Sequence, residues 1–127
     1  MRSDYYGIPM MGTEKKRPGL AECLRFDPES ARREIVSFIG SQVKRFSRDG
    51  ALVGLSGGLD SSTVACVCVE ALGKGRVMGL ILPERDTASR NTEDAVRLAE
   101  SLGIPHEIID VSPILRDLGA YEIFRRK

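Results

Sequence analysis

The sequence has little of what several large classes of protein require. Lysine and arginine number nineteen against eighteen aspartates and glutamates, so 127 residues carry a formal net charge of only +1. A chain so balanced has no sequence-wide positive field for nucleic acid and no acidic tail, and no nucleic-acid partner is expected. Cysteine is limited to Cys23, Cys66 and Cys68. An odd set without a signal peptide fits a reducing compartment better than a disulfide framework, so a cytoplasmic location is expected. Met1 to Leu20 lacks both the apolar stretch of a secretion signal and the arginine and serine bias of a transit peptide. No apolar run approaches the ~20 residues that cross a bilayer. The longest, Thr63 to Val69 and Val77 to Leu82, are far shorter, and a soluble protein without a membrane partner is expected. Histidine occurs once, as His106 after Pro105, where a surface strand residue is a better reading than a base or ligand.

What is present suits one compact domain: 42% of the residues are hydrophobic, within the ordinary globular range. Residues 1–26 read as a lead-in and 27–127 as the domain. Asp27-Pro28 has the form of an N-cap followed by a first-turn proline, and Ala31, Ile35, Phe38, Ile39, Val43 and Phe46 then recur at helical spacing. This predicts an amphipathic helix closing near Asp49-Gly50. Ala51 to Leu55 reads as a strand, Ser61 to Leu72 as a helix stopped by Gly73, and Arg76 to Leu82 as a second strand. After a polar loop over Pro83 to Arg90, a helix with Ala95, Leu98, Ala99 and Leu102 on one face stops at Gly103. Glu107 to Val111 is expected as a third strand, and Ser112-Pro113 as the cap of a last helix. Strands alternating with helices imply an α/β protein with parallel pairing and right-handed crossovers, whose ligands bind at the carboxyl ends of the strands.

At the carboxyl end of the first expected strand stands Ser56-Gly57-Gly58-Leu59-Asp60-Ser61-Ser62. Two adjacent glycines remove side chains that would keep a ligand from backbone amides, and free amides at a helix start, with the helix dipole behind them, suit phosphate. Ser56, Ser61 and Ser62 add hydroxyl donors. Asp60 would be repelled by phosphate oxygens unless a divalent cation lay between them, and magnesium is the natural choice. An N-cap role for Asp60 is compatible with that. The lysine of the Walker loop is missing, which points away from ordinary P-loop kinases and GTPases.

The run Gly54-Leu55-Ser56-Gly57-Gly58-Leu59-Asp60-Ser61-Ser62 resembles the pyrophosphate loop of N-type ATP pyrophosphatases, which include NAD, GMP and asparagine synthetases and RNA-thiolating enzymes. Val69-Glu70-Ala71-Leu72-Gly73, Val77-Met78-Gly79-Leu80-Ile81-Leu82-Pro83, Glu93-Asp94-Ala95, and Leu98-Ala99 to Leu102-Gly103-Ile104 resemble the NAD synthetases, particularly the ammonia-using kind. The resemblance covers about Phe26 to Tyr121. It implies the N-terminal portion of a three-layer, open parallel sheet of the Rossmann-like, adenine nucleotide alpha hydrolase-like kind. It also implies that Gly54 to Ser61 bind ATP, that Asp60 holds magnesium, and that Leu82 borders adenine. The implied reaction adenylates the carboxylate of deamido-NAD, releases pyrophosphate, and lets ammonia displace AMP to give NAD; no residue here need act as nucleophile. A homodimer is implied as well. The family's second half supplies another acidic metal ligand, a phosphate-binding lysine and much of the deamido-NAD site, and these are expected from outside the 127 residues.

Two other readings stay open. An RNA-thiolating enzyme would need a sulfur-carrying cysteine outside the core helices and a basic surface; a non-catalytic nucleotide-binding module would keep the loop without the chemistry. Cys66 and Cys68, two apart on a helix, point to different sides, and small buried apolar residues are the better reading than a metal or redox pair. Arg85 and Arg90 are candidates to reach phosphate or base from the Pro83 to Arg90 loop, with solvated loop charge an equal alternative.

Overall fold

Asp27 opens the first helix by satisfying two amides that a helix start leaves without partners. In the computed structural model, which describes residues 27–123, its carboxylate accepts hydrogen bonds from the amides of Glu29 (3.2 Å) and Ser30 (3.1 Å). Helix α1 then runs Pro28–Arg45, and the expected cap and first-turn proline are both in place. The helix stops four residues before the Asp49-Gly50 pair expected to close it. Ser47 adopts a left-handed conformation (φ 51°), and the amides of Ser47 and Arg48 donate back to the carbonyls of Lys44 and Val43. That is a Schellman closure with serine in the place glycine usually takes, so no glycine marks it in the sequence. The apolar face of α1 is only partly covered. Ile39 packs against the core, whereas Ile35, Phe46 and Phe38, the last 61% exposed, face outward.

The remaining elements alternate as the sequence predicts. Strand β1 (Ala51–Gly54) leads to α2 (Leu59–Leu72), a 3-10 turn (Lys74–Arg76), β2 (Val77–Ile81), α3 (Ser89–Leu102) and β3 (His106–Ile108), followed by the short helices α4 (Ser112–Asp117) and α5 (Ala120–Ile123). Gly73 (φ 82°) and Gly103 (φ 65°) end α2 and α3 in backbone regions open mainly to glycine. The strands form one parallel sheet in the order β1-β2-β3, with Val53 opposite Gly79 and Gly79 opposite His106. Val53, Val77 and Ile81 share one sheet face and pack with Ala65 and Cys68 of α2 and Ala95 and Ala99 of α3. Small side chains at those helix positions let both helices lie close to the strands. Leu52, on the other face, is 62% exposed. The architecture is the expected open parallel α/β sheet of Rossmann-like kind.

Several local expectations are corrected. The third strand is His106–Ile108 rather than Glu107 to Val111. Beyond it the chain bends because the Asp110 carboxylate accepts from both the amide (2.8 Å) and the hydroxyl (2.5 Å) of Ser112. Ser112 is therefore the first residue of α4, and the side chain that caps this turn is Asp110. Cys68 is buried, and burial pushes its thiol pKa up, but Cys66 is exposed, because two residues turn a helix through about 200°. Cys23 and the lead-in lie outside the described residues.

The hydrogen bonds from Ser112 hold the Asp110 carboxyl below its ordinary pKa of 3.8, its side-chain hydroxyl contributing most. A depressed carboxylate stabilises the fold at pH above the ordinary value, and that contribution fades as the pH falls through the lowered one. In a pH titration followed by carboxyl-carbon NMR, Asp110 is expected to have its midpoint below 3.8, and Ser112→Ala is expected to move it upward. An unshifted midpoint in both proteins would contradict this.

Candidate nucleotide site

The sheet supplies the platform for the Ser-Gly-Gly loop. Past Gly54 the ladder continues for one residue, because the Leu55 amide donates to the Leu80 carbonyl at 2.8 Å and the Leu55 side chain is buried. The chain then reverses through Ser56, Gly57 and Gly58 into α2. Serine hydroxyls brace this turn from inside: the Ser56 amide donates to Ser61 Oγ (3.2 Å), and the two hydroxyl oxygens lie 3.0 Å apart. The Gly58 amide donates to Ser56 Oγ (3.3 Å). The hydroxyls of Ser61 and Ser62 both donate to the Gly58 carbonyl, at 3.1 and 2.7 Å.

The two glycines have different jobs. Gly57 has φ +77°, and a Cβ built on it would lie 2.3 Å from the carbonyl oxygen of Asn91 on α3. Its missing side chain is thus demanded first by the approach of a second helix, a reason that spacing in the sequence does not reveal. Gly58 is the N-cap of α2 with an extended backbone and no side-chain cap, so Asp60 does not hold the cap position. Among the described residues, the amides of Gly57, Leu59, Asp60 and Ser61 have no hydrogen-bond acceptor. Three of these amides belong to the first turn of α2, where the helix dipole is positive. Asp60 stands in that same turn, exposed, with no salt-bridge partner among the described residues.

Beside the loop, at the carboxyl ends of β1 and β2, lies a cavity of about 220 Å³ lined by Leu55, Ser56, Ile81, Leu82, Thr87 and Asn91, among others. Leu82, which the resemblance expects beside adenine, is one of the residues that line it. Thr87 and Asn91 also line it, but they carry no charge to single them out, unlike the two arginines of the Pro83 to Arg90 loop that Asn91 follows. Its arginines are engaged elsewhere: Arg85 pairs with Asp86 (2.9 Å) and lies over the Tyr121 ring, and Arg90 pairs with Asp94 (3.7 Å). Neither lines the cavity. A larger hollow of about 510 Å³ beside α3, lined by Val96, Arg97 and Ile108 among others, is mostly apolar. Among the described residues no three histidine, cysteine or carboxylate groups converge on a point.

A parallel sheet with an amide-rich turn at one strand end and a cavity at the next places the chain among the Rossmann-like α/β proteins that receive ligands at the carboxyl edge. The family model of NAD synthase matches residues 31–125, and the chain belongs to that family. It is 46% identical over 93 residues to an NH(3)-dependent NAD(+) synthetase of Thermotoga neapolitana, covering 73% of this chain and 32% of the relative. Among solved structures it is similar to an NH3-dependent NAD synthetase from Campylobacter jejuni in complex with the nitrate ion, with TM-score 0.68 and 34% identity over 74% of this chain and 41% of that one. An NMN synthetase from Francisella tularensis gives TM-score 0.69 and 28% identity over 77% of this chain and 40% of that one. The chain spans about a third of the length of the curated relatives it matches.

Gly57→Ala is expected to destabilise the fold by roughly 1–3 kcal/mol through its positive φ, and further through displacement of the Asn91 carbonyl. Gly75→Ala, where a Cβ meets nothing within 4 Å, serves as the control and is expected to change little. Urea denaturation decides: equal midpoints for the two variants would contradict the close approach.

Proposed function

We propose that this chain is the ATP-gripping segment of an NH3-dependent NAD synthetase, in which the free amides of Gly57, Leu59, Asp60 and Ser61 receive the triphosphate. The observation that carries this reading is four amides at the mouth of α2 with no acceptor among the described residues, in a member of the NAD synthase family. The surrounding residues Gly54, Leu55, Ser56, Gly58 and Ser62 shape the turn, and the cavity at Leu82, Thr87 and Asn91 receives the adenine end. Family membership favours this ligase over an RNA-thiolating enzyme.

Magnesium fits the donor set in one mode only. With no cluster of ligands among the described residues, a lone exposed carboxylate can share the ion with phosphate oxygens and water, the coordination Mg²⁺ commonly adopts beside nucleotides. Asp60 would hold it, and the ion would neutralise charge on the phosphates. The chain's own contribution is positioning and donation: amides fix the outer phosphates so that the α-phosphorus meets the carboxylate of deamido-NAD. The reaction joins that carboxylate to AMP with loss of pyrophosphate, and ammonia then displaces AMP to form the amide of NAD. The reading extends to a homodimeric cytoplasmic protein, with residues 27–127 as the synthetase segment and 1–26 as its lead-in.

Isothermal titration of the chain with ATP is expected to show binding strengthened by magnesium. Asp60→Asn is expected to weaken the magnesium-dependent binding about tenfold, or ~1.4 kcal/mol, while magnesium-free binding is strengthened because a carboxylate that repels phosphate is gone. Absence of ATP binding, or a variant whose binding responds to magnesium as strongly as the parent's, would overturn the assignment. With ATP, deamido-NAD and ammonia the 127 residues alone are expected to make little NAD, since much of the deamido-NAD site is expected from outside them; what product forms is expected to be AMP and NAD in equal amounts, and ADP contradicts the reading.

A further inference from the structure

The cavity wall formed by the segment after β2 is tied to the far end of the chain by a single aromatic residue. Glu84 is the pivot. Its amide donates to Thr87 Oγ1 (3.0 Å) and its carbonyl accepts from the Thr87 amide (2.9 Å), which closes the turn that presents Thr87 to the cavity. One carboxylate oxygen of Glu84 accepts from the Asp86 amide (2.9 Å), and the other accepts from the Tyr121 hydroxyl (3.0 Å). Arg85, meanwhile, lays its guanidinium 3.9 Å from the centre of the Tyr121 ring while donating to both oxygens of Asp86. The stem below is fixed by the Val111 amide, which donates to the Pro83 carbonyl at 3.0 Å. Tyr121 of α5 thus grips the turn by its hydroxyl and by its ring face, at residues 84 and 85, without itself lining the cavity.

We infer that Tyr121 is a positioning residue that sets the wall of the nucleoside cavity through Glu84 and Arg85; the inference rests on the nucleotide reading of that cavity. A five-residue turn held at its start by Val111 and in its middle by Tyr121 keeps Thr87 in place before ligand arrives. Such preorganisation lowers the ordering cost of binding. Its effect belongs to the nucleoside end of the ligand, because the turn whose amides meet the phosphates is braced by its own hydroxyls, Ser56 and Ser61.

Tyr121→Phe tests this with little change of volume, since the ring over Arg85 stays and only the bond to Glu84 is lost. Amide hydrogen exchange without ligand is expected to quicken about fivefold at Asp86 and Thr87, the loss of one hydrogen bond, and to stay unchanged at Leu55 and Val77. ATP affinity is expected to fall about threefold to fivefold, while affinity for inorganic pyrophosphate is unchanged. In a Glu84→Ala background, Tyr121→Phe is expected to add nothing. Unaltered exchange, or equal losses for ATP and pyrophosphate, would overturn the inference. A parent chain that binds neither ligand would sink the nucleotide reading instead, and exchange at Asp86 and Thr87 would still decide whether Tyr121 holds the turn.

Discussion

Two backbones meet where Gly57 faces Asn91, so closely that a Cβ on the glycine would come within 2.3 Å of the opposing carbonyl oxygen. That contact joins the turn after β1 to the start of α3, and with it the two parts of the site. The amides of the turn and the cavity at the end of β2 come from different βα units, which a parallel sheet sets side by side. The contact fixes how far apart they stand. Because backbone atoms on both sides are involved, no rotamer change can absorb a larger residue there.

The framework was legible because its signals are local. Asp27-Pro28, Gly73 and Gly103 act on their own helix ends, and the alternation of apolar runs with helical spacing encodes a parallel sheet. Boundaries set by a side chain acting on a neighbour were not. Ser47 closes α1 in a conformation usually left to glycine, and Asp110 bends the chain out of β3 by capturing Ser112. Of the residues that line the cavity, Leu82 was a candidate from the sequence, whereas Thr87 and Asn91 carry no charge to set them apart from two nearby arginines, which are paired with carboxylates. Asn91 acts through its backbone carbonyl, which any residue would supply, so its identity could not have announced that role.

The loop handles charge differently from one built around a lysine. Fixed amides and the dipole of α2 provide partial positive charge that costs no side-chain ordering, and a carboxylate in the same turn leaves room for a metal to share. That combination suits a reaction whose difficulty lies in placing a triphosphate and neutralising its charge rather than in supplying a nucleophile. Membership of the NAD synthase family agrees with such chemistry.

The central claim is that the mouth of α2 receives phosphate. It is tested most directly by recording the backbone amide NMR spectrum of the chain while magnesium and ATP are added. The account predicts that the amides of Gly57, Leu59, Asp60 and Ser61 shift first and most, with Thr87 and Asn91 following. Shifts confined to Val96, Arg97 and Ile108 around the apolar hollow, with the loop amides unmoved, would contradict it.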